Sequence, residues 1–342
     1  MSRAILANPR LAVAVDKSDA DRTIKEMVSL GVFDKDRKVT KKGCHVEIPV
    51  VRSIPGCNMV LQDESAFYRK SIDIAQALQD LIPKDSLSLL PRGWFILGKV
   101  IVVKIHPMLR PYERHIGQAL LNFYPRCSTV LSDDGIAGTF REPVRRIIAG
   151  CDTKTVHKEN GVIFHLDASQ VMFSPGNLKE RMRMSRMGRD EYVVDMFAGI
   201  GYFTIPMAVH SRPQKILAIE LNPNAYHYLC KNISQNHVQD IVEPVLGDCA
   251  RATPKNAADR VLMGMVQITD RYLEYGISAL KPGGILHYHQ TIPSWRYPDA
   301  AICEISDAAL KLGRRAEILK CIRVKKYSPG VEHVVVDARI DA

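Results

Sequence analysis

The sequence predicts an α/β fold, with a Rossmann-like parallel sheet in the C-terminal half behind smaller α+β domains. Two observations carry this. From about residue 171, β-type runs at Val193 to Phe197, Lys215 to Glu220, Asp259 to Met263 and Gly284 to His289 alternate with intervals long enough for helices, the pattern of a parallel sheet covered on both faces. At 342 residues the chain also exceeds one typical domain.

The remaining elements follow in order. Leu11 to Val15 is β-like, Asp19 to Leu30 has helical spacing through Ile24, Met27 and Leu30, and Gly31 is a C-terminal stop. Glu47 to Val51 is β-like again, and Ser53-Ile54-Pro55-Gly56 signals a turn. Residues 1–58 are therefore expected to form a small α+β domain. Residues 59–170 form a second one, with helices at Ile74 to Leu81 and Arg114 to Tyr124 and a buried-type strand at Gly98 to Ile105. Within Thr155 to Leu166, Glu159-Asn160-Gly161 marks a hairpin turn. Residues 171–342 form the third domain, closing with a hairpin of Ala316 to Tyr327 and His333 to Ile340 around Ser328-Pro329-Gly330.

Composition narrows the function. Apolar residues make up 46% and charged residues 25%, which builds real cores and argues against disorder. No apolar run reaches membrane-span length and no signal-peptide pattern opens the chain. The eight cysteines form no Cys-x-x-Cys pair, so no zinc ribbon or redox dithiol is indicated and a reducing cytoplasm is expected. The net charge of +10 points to a polyanionic partner, most simply nucleic acid. Basic clusters stand at Arg37, Lys38, Lys41 and Lys42, at Arg141, Arg145 and Arg146, and at Lys179, Arg181, Arg183, Arg186 and Arg189.

The strongest constellation is Asp195-Met196-Phe197-Ala198-Gly199-Ile200-Gly201, after a β run and before a helix. Glycines at such a turn let a ligand approach the backbone. Glu220 closes the next strand, where a carboxylate grips ribose hydroxyls, and Asp248 closes a third, where a carboxylate can accept from an adenine amino group beside the Cys249 backbone N–H. Thr204 stands where a dinucleotide fingerprint needs its third glycine, and no Gly-Lys-Ser/Thr follows, so neither a dinucleotide site nor a P-loop is indicated. An adenosine ligand without pyrophosphate fits, and S-adenosylmethionine is the common one; the fold is then of the class I methyltransferase type. The alternative role for each carboxylate is a helix N-cap, but at Glu220 the Asn222-Pro223 pair already supplies one.

Upstream, Asn177 and Glu180 have capping-box-like spacing, so a helix is expected to start there. Ser174 and Arg181 are candidates for the cofactor or the nucleic acid, with Arg181 placed to pair bidentately with the cofactor carboxylate. His287-x-His289 puts two imidazoles on one strand face; with no third ligand nearby, packing or hydrogen bonding is expected rather than a metal site.

These residues meet a family. Asp195 to Phe203, Glu220-Leu221-Asn222-Pro223, the His157 to Gly161 hairpin and the terminal Tyr327-Ser328-Pro329 resemble the tRNA guanosine-37 N1-methyltransferases and their relatives, the wybutosine-synthesising aminocarboxypropyltransferases. The resemblance covers nearly the whole chain, and Leu30 to Asp36 looks like the small N-terminal domain of the methyltransferase branch. The methyltransferases carry arginine after Phe-Ser-Pro and an Asn-Leu-Pro motif after the fourth strand; here Gly176-Asn177 and Gly264-Met265-Val266 stand at those places. Both departures resemble the aminocarboxypropyltransferase branch.

The resemblance implies transfer of the 3-amino-3-carboxypropyl group of S-adenosylmethionine to C7 of 4-demethylwyosine in tRNA-Phe by a cytoplasmic monomer acting on the anticodon loop. It implies that Ser174, Arg181, Glu220, Asp248 and Cys249 hold the cofactor and that Asp195, Phe197, Gly199 and Gly201 shape its pocket. Gly176, Asn177 and Tyr202 are expected to face the substrate. No general base is named, and no metal is expected. The competing readings are a tRNA guanosine-37 N1-methyltransferase and a non-catalytic tRNA-binding protein.

Overall fold

The computed structural model describes residues 10–62, 73–138 and 140–342. They fall into two compact units, one ending at Asp73 and one beginning at Ile74.

The first unit holds β1 (Leu11–Asp16), α1 (Ala20–Ser29), β2 (Thr40–Lys42), β3 (His45–Pro49) and β4 (Met59–Leu61), in an antiparallel sheet of order β2-β3-β1-β4. Its core joins Val13, Met27, Val32, Val46, Ile48 and Val50. Arg37, expected in a basic surface cluster, is fully buried instead. It pairs with Asp34 at 2.7 Å and donates to the Leu11 and Val50 carbonyls and to Gln62. A buried guanidinium is stable only when its donors are satisfied this fully, so Arg37 is structural here. Lys38, Lys41 and Lys42 remain exposed.

The second unit opens with α2 (Ile74–Leu78), α3 (Lys84–Leu87), β5 (Trp94–Leu97), β6 (Val100–Val103), α4 (Glu113–Phe123), β7 (Thr129–Ala137) and β8 (Glu142–Ala149). The sheet runs β5-β6-β7-β8, with β6 and β7 parallel across α4. A hairpin follows, β9 (Lys154–Glu159) and β10 (Val162–Asp167), and the positive φ of Asn160 (48°) and Gly161 (74°) makes the turn the sequence predicts.

The large sheet is built from β11 (Tyr192–Asp195), β12 (Lys215–Glu220), β13 (Val242–Leu246), β14 (Ala258–Met263), β15 (Leu280–Pro293), β16 (Arg315–Ser328) and β17 (Val331–Asp341). Their order is β13-β12-β11-β14-β15-β17-β16; the first five are parallel and β17 runs antiparallel between β15 and β16. Connecting helices are α5 (Leu178–Met184), ahead of β11, then α6 (Thr204–His210), α7 (Pro223–Gln235), α8 (Cys249–Ala252), α9 (Leu273–Ala279) and α10 (Asp299–Lys311). Successive residues serve opposite faces: Val193, Ile216 and Leu262 lie in one core cluster, Val194, Leu217 and Val261 in another. Burial on both faces is why these strands read as continuous apolar runs.

Two amides, Asn232 of α7 and Asn236 at its C-terminal cap, dock the β9–β10 hairpin against this sheet. Asn232 Oδ1 accepts the His165 N–H at 2.7 Å, Asn236 Oδ1 accepts the Ile163 N–H at 2.9 Å, and both side chains donate back to β10 carbonyls. They satisfy a strand edge as a further strand would, and this fixes where Glu159 meets α5.

Candidate functional site

Between β11 and α6 the chain turns through Gly199 (φ 59°) and Gly201 (φ 98°). A Cβ on Gly199 would lie 2.2 Å from the Tyr202 ring, and one on Gly201 would lie 2.4 Å from Ile205 Cγ1, so both glycines are required sterically as well as conformationally. Glu220, at the end of the neighbouring strand, locks the turn. Its Oε2 accepts the Gly199 N–H at 2.7 Å and its Oε1 accepts the Asn222 N–H at 2.7 Å. A carboxylate has about four lone-pair sites, so acceptor capacity remains for ligand hydroxyls. Burial pushes its pKa up. Asn222 caps α7 through the Asn224 N–H, as expected.

Asp195 lies beneath the turn, fully buried, accepting the Thr204 hydroxyl at 2.7 Å and the Phe197 N–H at 3.3 Å. It holds the turn and is not on the cavity wall. Burial pushes its pKa up to about 6. The folded state thus holds this proton more tightly than the unfolded chain, so stability falls as pH rises from about 4 to about 6. Asp195→Asn removes that titration. The stability of the variant relative to the native chain should therefore rise by up to about 3 kcal/mol across that window. Urea unfolding of both proteins at several pH values checks this; a constant difference would contradict it.

A cavity of about 250 Å³ opens beside the turn. It brings together Ser174, Asn177, Arg181, Phe197, Gly199, Tyr202 and Glu220. Gly264, Met265 and Val266, the departure noted after the fourth strand, also line it. Gly176 does not. It lies in a 3-10 turn (Pro175–Asn177), where a Cβ would meet Lys325 Cδ at 3.2 Å. Asp248 and Cys249 are also off this wall, at the next strand end, where Asp248 caps α8 through the Ala250 N–H at 2.9 Å. Cys249 is buried, and burial and Asp248 push its thiol up to about 12.

Two expectations need correcting. Arg181 is at the cavity, but its fork is taken: Nε and Nη2 pair bidentately with Glu159 at 2.6 and 2.8 Å, and Nη1 donates to the Ser174 carbonyl. Against the effect of burial, His157 at 3.8 Å and the hydrogen bonds from Arg181 hold Glu159 at about 2. Arg181 therefore braces the Ser174 loop instead of offering a free guanidinium to a carboxylate. The Asn177–Glu180 capping box also does not form. Asn177 makes no side-chain cap, and Glu180 pairs with Arg183. With Arg181 and Arg183 committed internally, only Lys179, Arg186 and Arg189 of that cluster are exposed. Arg145 is likewise consumed, donating to the Ala168 carbonyl at 2.6 Å and lying within 3.5 Å of Asp133.

His287 and His289 are buried and hydrogen-bonded, as the sequence suggests. His287 contacts Asp337 at 2.6 Å, and His289 contacts His333 at 3.1 Å. Burial pushes both His289 and His333 down to about 3, so this pair is neutral. Among the described residues no group of three or more His, Cys, Asp or Glu could hold a metal ion.

Sequence reasoning missed the far wall, formed by Lys325, Tyr327 and His333 of β16 and β17 with Phe140 and Arg141 from the β7–β8 connection. Arg141 Nη1 donates to Gln267 Oε1 at 2.7 Å, tying that connection to the loop after β14.

Sequence comparisons assign this architecture. Residues 155–319 match the family model described as the TRM5/TYW2 methyltransferase domain, 74–153 the TYW2 N-terminal domain, and 12–58 the tRNA methyltransferase 5 N-terminal domain. A Pyrococcus horikoshii relative named tRNA(Phe) (4-demethylwyosine(37)-C(7)) aminocarboxypropyltransferase is 37% identical over 268 residues, 78% of this chain and 96% of the relative. This chain belongs to the TRM5/TYW2 family. Among solved members of that family, P. horikoshii TYW2 in complex with MeSAdo superposes with a TM-score of 0.69 at 36% identity, covering 78% of this chain and 98% of that one. Trm5b from Pyrococcus abyssi gives a TM-score of 0.74 at 30% identity, covering 97% and 100%. The second match includes the first unit; the first match is higher in identity.

Proposed function

We propose that the protein transfers the 3-amino-3-carboxypropyl group of S-adenosylmethionine to C7 of 4-demethylwyosine at position 37 of tRNA-Phe, releasing 5′-methylthioadenosine. The observation that carries this is the cavity itself. Glu220 and the Gly199 turn suit a ribose, Gly264-Met265-Val266 line the cavity where the methyltransferase branch is expected to place Asn-Leu-Pro, and Gly176, off the wall, stands where that branch is expected to place an arginine. The MeSAdo of the P. horikoshii TYW2 complex is the nucleoside this reaction would leave behind.

When bound, S-adenosylmethionine supplies a sulfonium whose Cγ is electrophilic. The C7–Cγ bond forms as the Cγ–S bond breaks, its electron pair stays on sulfur, and the C7 proton is released to solvent water. What the chain contributes is position, because the carbon that reacts is the one held in line with the nucleophile. Glu220 orients the ribose, Phe197 and Tyr202 bound the pocket, and Phe140 and Arg141 line it. No general base is assigned. Chromatography of the nucleoside by-product tests the reading: 5′-methylthioadenosine is expected, and S-adenosylhomocysteine would indicate the methyltransferase alternative.

The chain is read as a cytoplasmic monomer working on the anticodon loop, with residues 1–58 docking tRNA, 59–170 in the middle and 171–342 catalytic. Among the described residues no helix is long and apolar enough to cross a membrane. If exposed lysines and arginines neutralise phosphates, log Kd for tRNA should rise linearly with log salt, by roughly 0.7–0.9 per phosphate contacted. Filter binding from 50 to 200 mM salt measures it; a flat dependence would remove the tRNA assignment.

A further inference from the structure

Past the end of β15 the chain holds an aromatic ring out into solvent. Trp295 is 83% exposed, more than any other large apolar side chain among the described residues. Singly exposed apolar groups are ordinary, but a tryptophan this bare leaves a large apolar face in water. The ring is not on a slack loop. Ser294–Arg296 form a 3-10 turn. Ser294 ties that turn to the β16–β17 hairpin twice: its N–H donates to the Gly330 carbonyl at 2.8 Å, and its hydroxyl donates to Glu332 Oε1 at 3.2 Å. On the other side, the Tyr297 hydroxyl donates to the Cys321 carbonyl of β16 at 3.4 Å. A braced turn therefore presents Trp295 to whatever approaches this end of the sheet.

A second observation is independent: the rings here are interleaved with cations. The Arg296 guanidinium lies 5.9 Å from the Trp295 centroid, and that of Arg323 on β16 lies 4.1 Å over the Tyr297 ring. Arg296, Arg323 and Lys326 are exposed. From Ile318 to Val331 the chain carries four basic residues and no acidic one. Aromatic faces and guanidinium planes are what unpaired nucleobases stack on, while the charges meet phosphates. The position also suits this. Pro293, two residues before Trp295, is in register with Val331, and Thr291 is in register with His333 of the cavity wall. At about 3.3 Å per residue, the Pro293 row lies roughly 7 Å beyond that wall. It lies on the side where the parallel strands end, the side on which such sheets take their ligands.

We propose that Trp295, flanked by Arg296 and by the Arg323–Tyr297 pair, is a stacking platform for an unpaired tRNA base next to the one that enters the cavity. This rests on the reading of tRNA as the substrate and names a surface that holds its loop. A base that enters a cavity leaves its stack, and its neighbour loses a partner. Trp295 takes that partner's place, and the arginines neutralise the phosphates beside it. The contact is to a π-face, so it tolerates any base. It acts on RNA affinity and not on the affinity for S-adenosylmethionine.

The test uses the chain's two tryptophans, Trp94 and Trp295. Trp94 is partly buried, with its ring edge-on to Tyr124. The probe is a synthetic anticodon stem-loop RNA of tRNA-Phe with guanosine at position 37. In Trp94→Phe the stem-loop should quench most of the remaining tryptophan emission, because a base stacked on an indole quenches it. In Trp295→Phe it should quench little. Trp295→Ala should weaken stem-loop binding by roughly fivefold to 150-fold, the loss that one stacked base implies. Trp295→Phe keeps a ring and should lose less. The side chain is exposed, so its truncation does not endanger folding, and calorimetry should give an unchanged Kd for S-adenosylmethionine. Stem-loop binding that Trp295→Ala leaves unchanged overturns the platform, as does emission from Trp94→Phe that the RNA does not alter. A native dimer that becomes a monomer in Trp295→Ala, read by light scattering, also overturns it and gives the ring to a second copy of the chain. A native chain that binds no stem-loop removes the tRNA reading and the platform with it, whereas native binding indifferent to Trp295 removes the platform alone.

Discussion

Glu220→Ala should lower the affinity for S-adenosylmethionine by about 1.5–3 kcal/mol, the range for hydrogen bonds to a charged group. That is roughly tenfold to 150-fold in Kd. The structure supplies a complication, because the same carboxylate accepts the Gly199 and Asn222 N–H groups. Its loss therefore strips acceptors from the turn as well as from the ribose it is proposed to hold. The two contributions separate with a ligand pair. Native protein should bind 5′-methylthioadenosine better than its 2′-deoxy analogue, and Glu220→Ala should abolish that preference. Calorimetric titration measures both. A variant that is folded and still discriminates against the deoxy analogue would take Glu220 out of ribose recognition.

Gly176→Arg should cut transfer by about a hundredfold, the order expected when a reacting carbon is displaced by an ångström. Gly176 is not on the cavity wall, so the effect passes through Lys325, whose Cδ and Nζ would lie 3.2 and 3.4 Å from a new Cβ. The lysine side chain must give by a few tenths of an ångström to admit the new Cβ, and the guanidinium would add a cation beside Lys325. Affinity for 5′-methylthioadenosine should fall far less than transfer does, because Glu220 and the Gly199 turn lie elsewhere. The variant need not methylate, since Gly264-Met265-Val266 would be unchanged. Transfer and binding are measured on one preparation, with circular dichroism confirming the fold. Full transfer on tRNA bearing 4-demethylwyosine would show that Gly176 does not set the reaction.

What could be read from the sequence depended on how local its cause is. The parallel strands were legible because burial on both faces makes them apolar throughout, as in Lys215 to Glu220. The turn at Gly199 and Gly201 and the N-cap at Asn222 were legible because each needs a particular residue at a particular place. The partner of Arg181 was not. Glu159 lies 22 residues away in a hairpin whose position depends on Asn232 of α7 and Asn236 at its C-terminal cap. Arg37 and Arg145 read as surface charge for the same reason, since burial of an arginine is decided by distant carbonyls. The Lys325 wall was least accessible. It reaches the cavity only because β17 inserts antiparallel beside β15 and carries β16 with it. The sequence announced a terminal hairpin but nothing of its place in the sheet.

The central claim is the group transferred, and mass spectrometry of the position-37 nucleoside tests it most directly. Purified protein, S-adenosylmethionine and tRNA-Phe carrying 4-demethylwyosine are incubated, and the tRNA is digested to nucleosides. The account predicts that the mass of the 4-demethylwyosine nucleoside rises by one 3-amino-3-carboxypropyl group. A parallel reaction on tRNA with unmodified guanosine at position 37 should leave that guanosine unchanged. A methyl group on that guanosine, with 4-demethylwyosine untouched, would contradict the account and place the protein in the methyltransferase branch of its family.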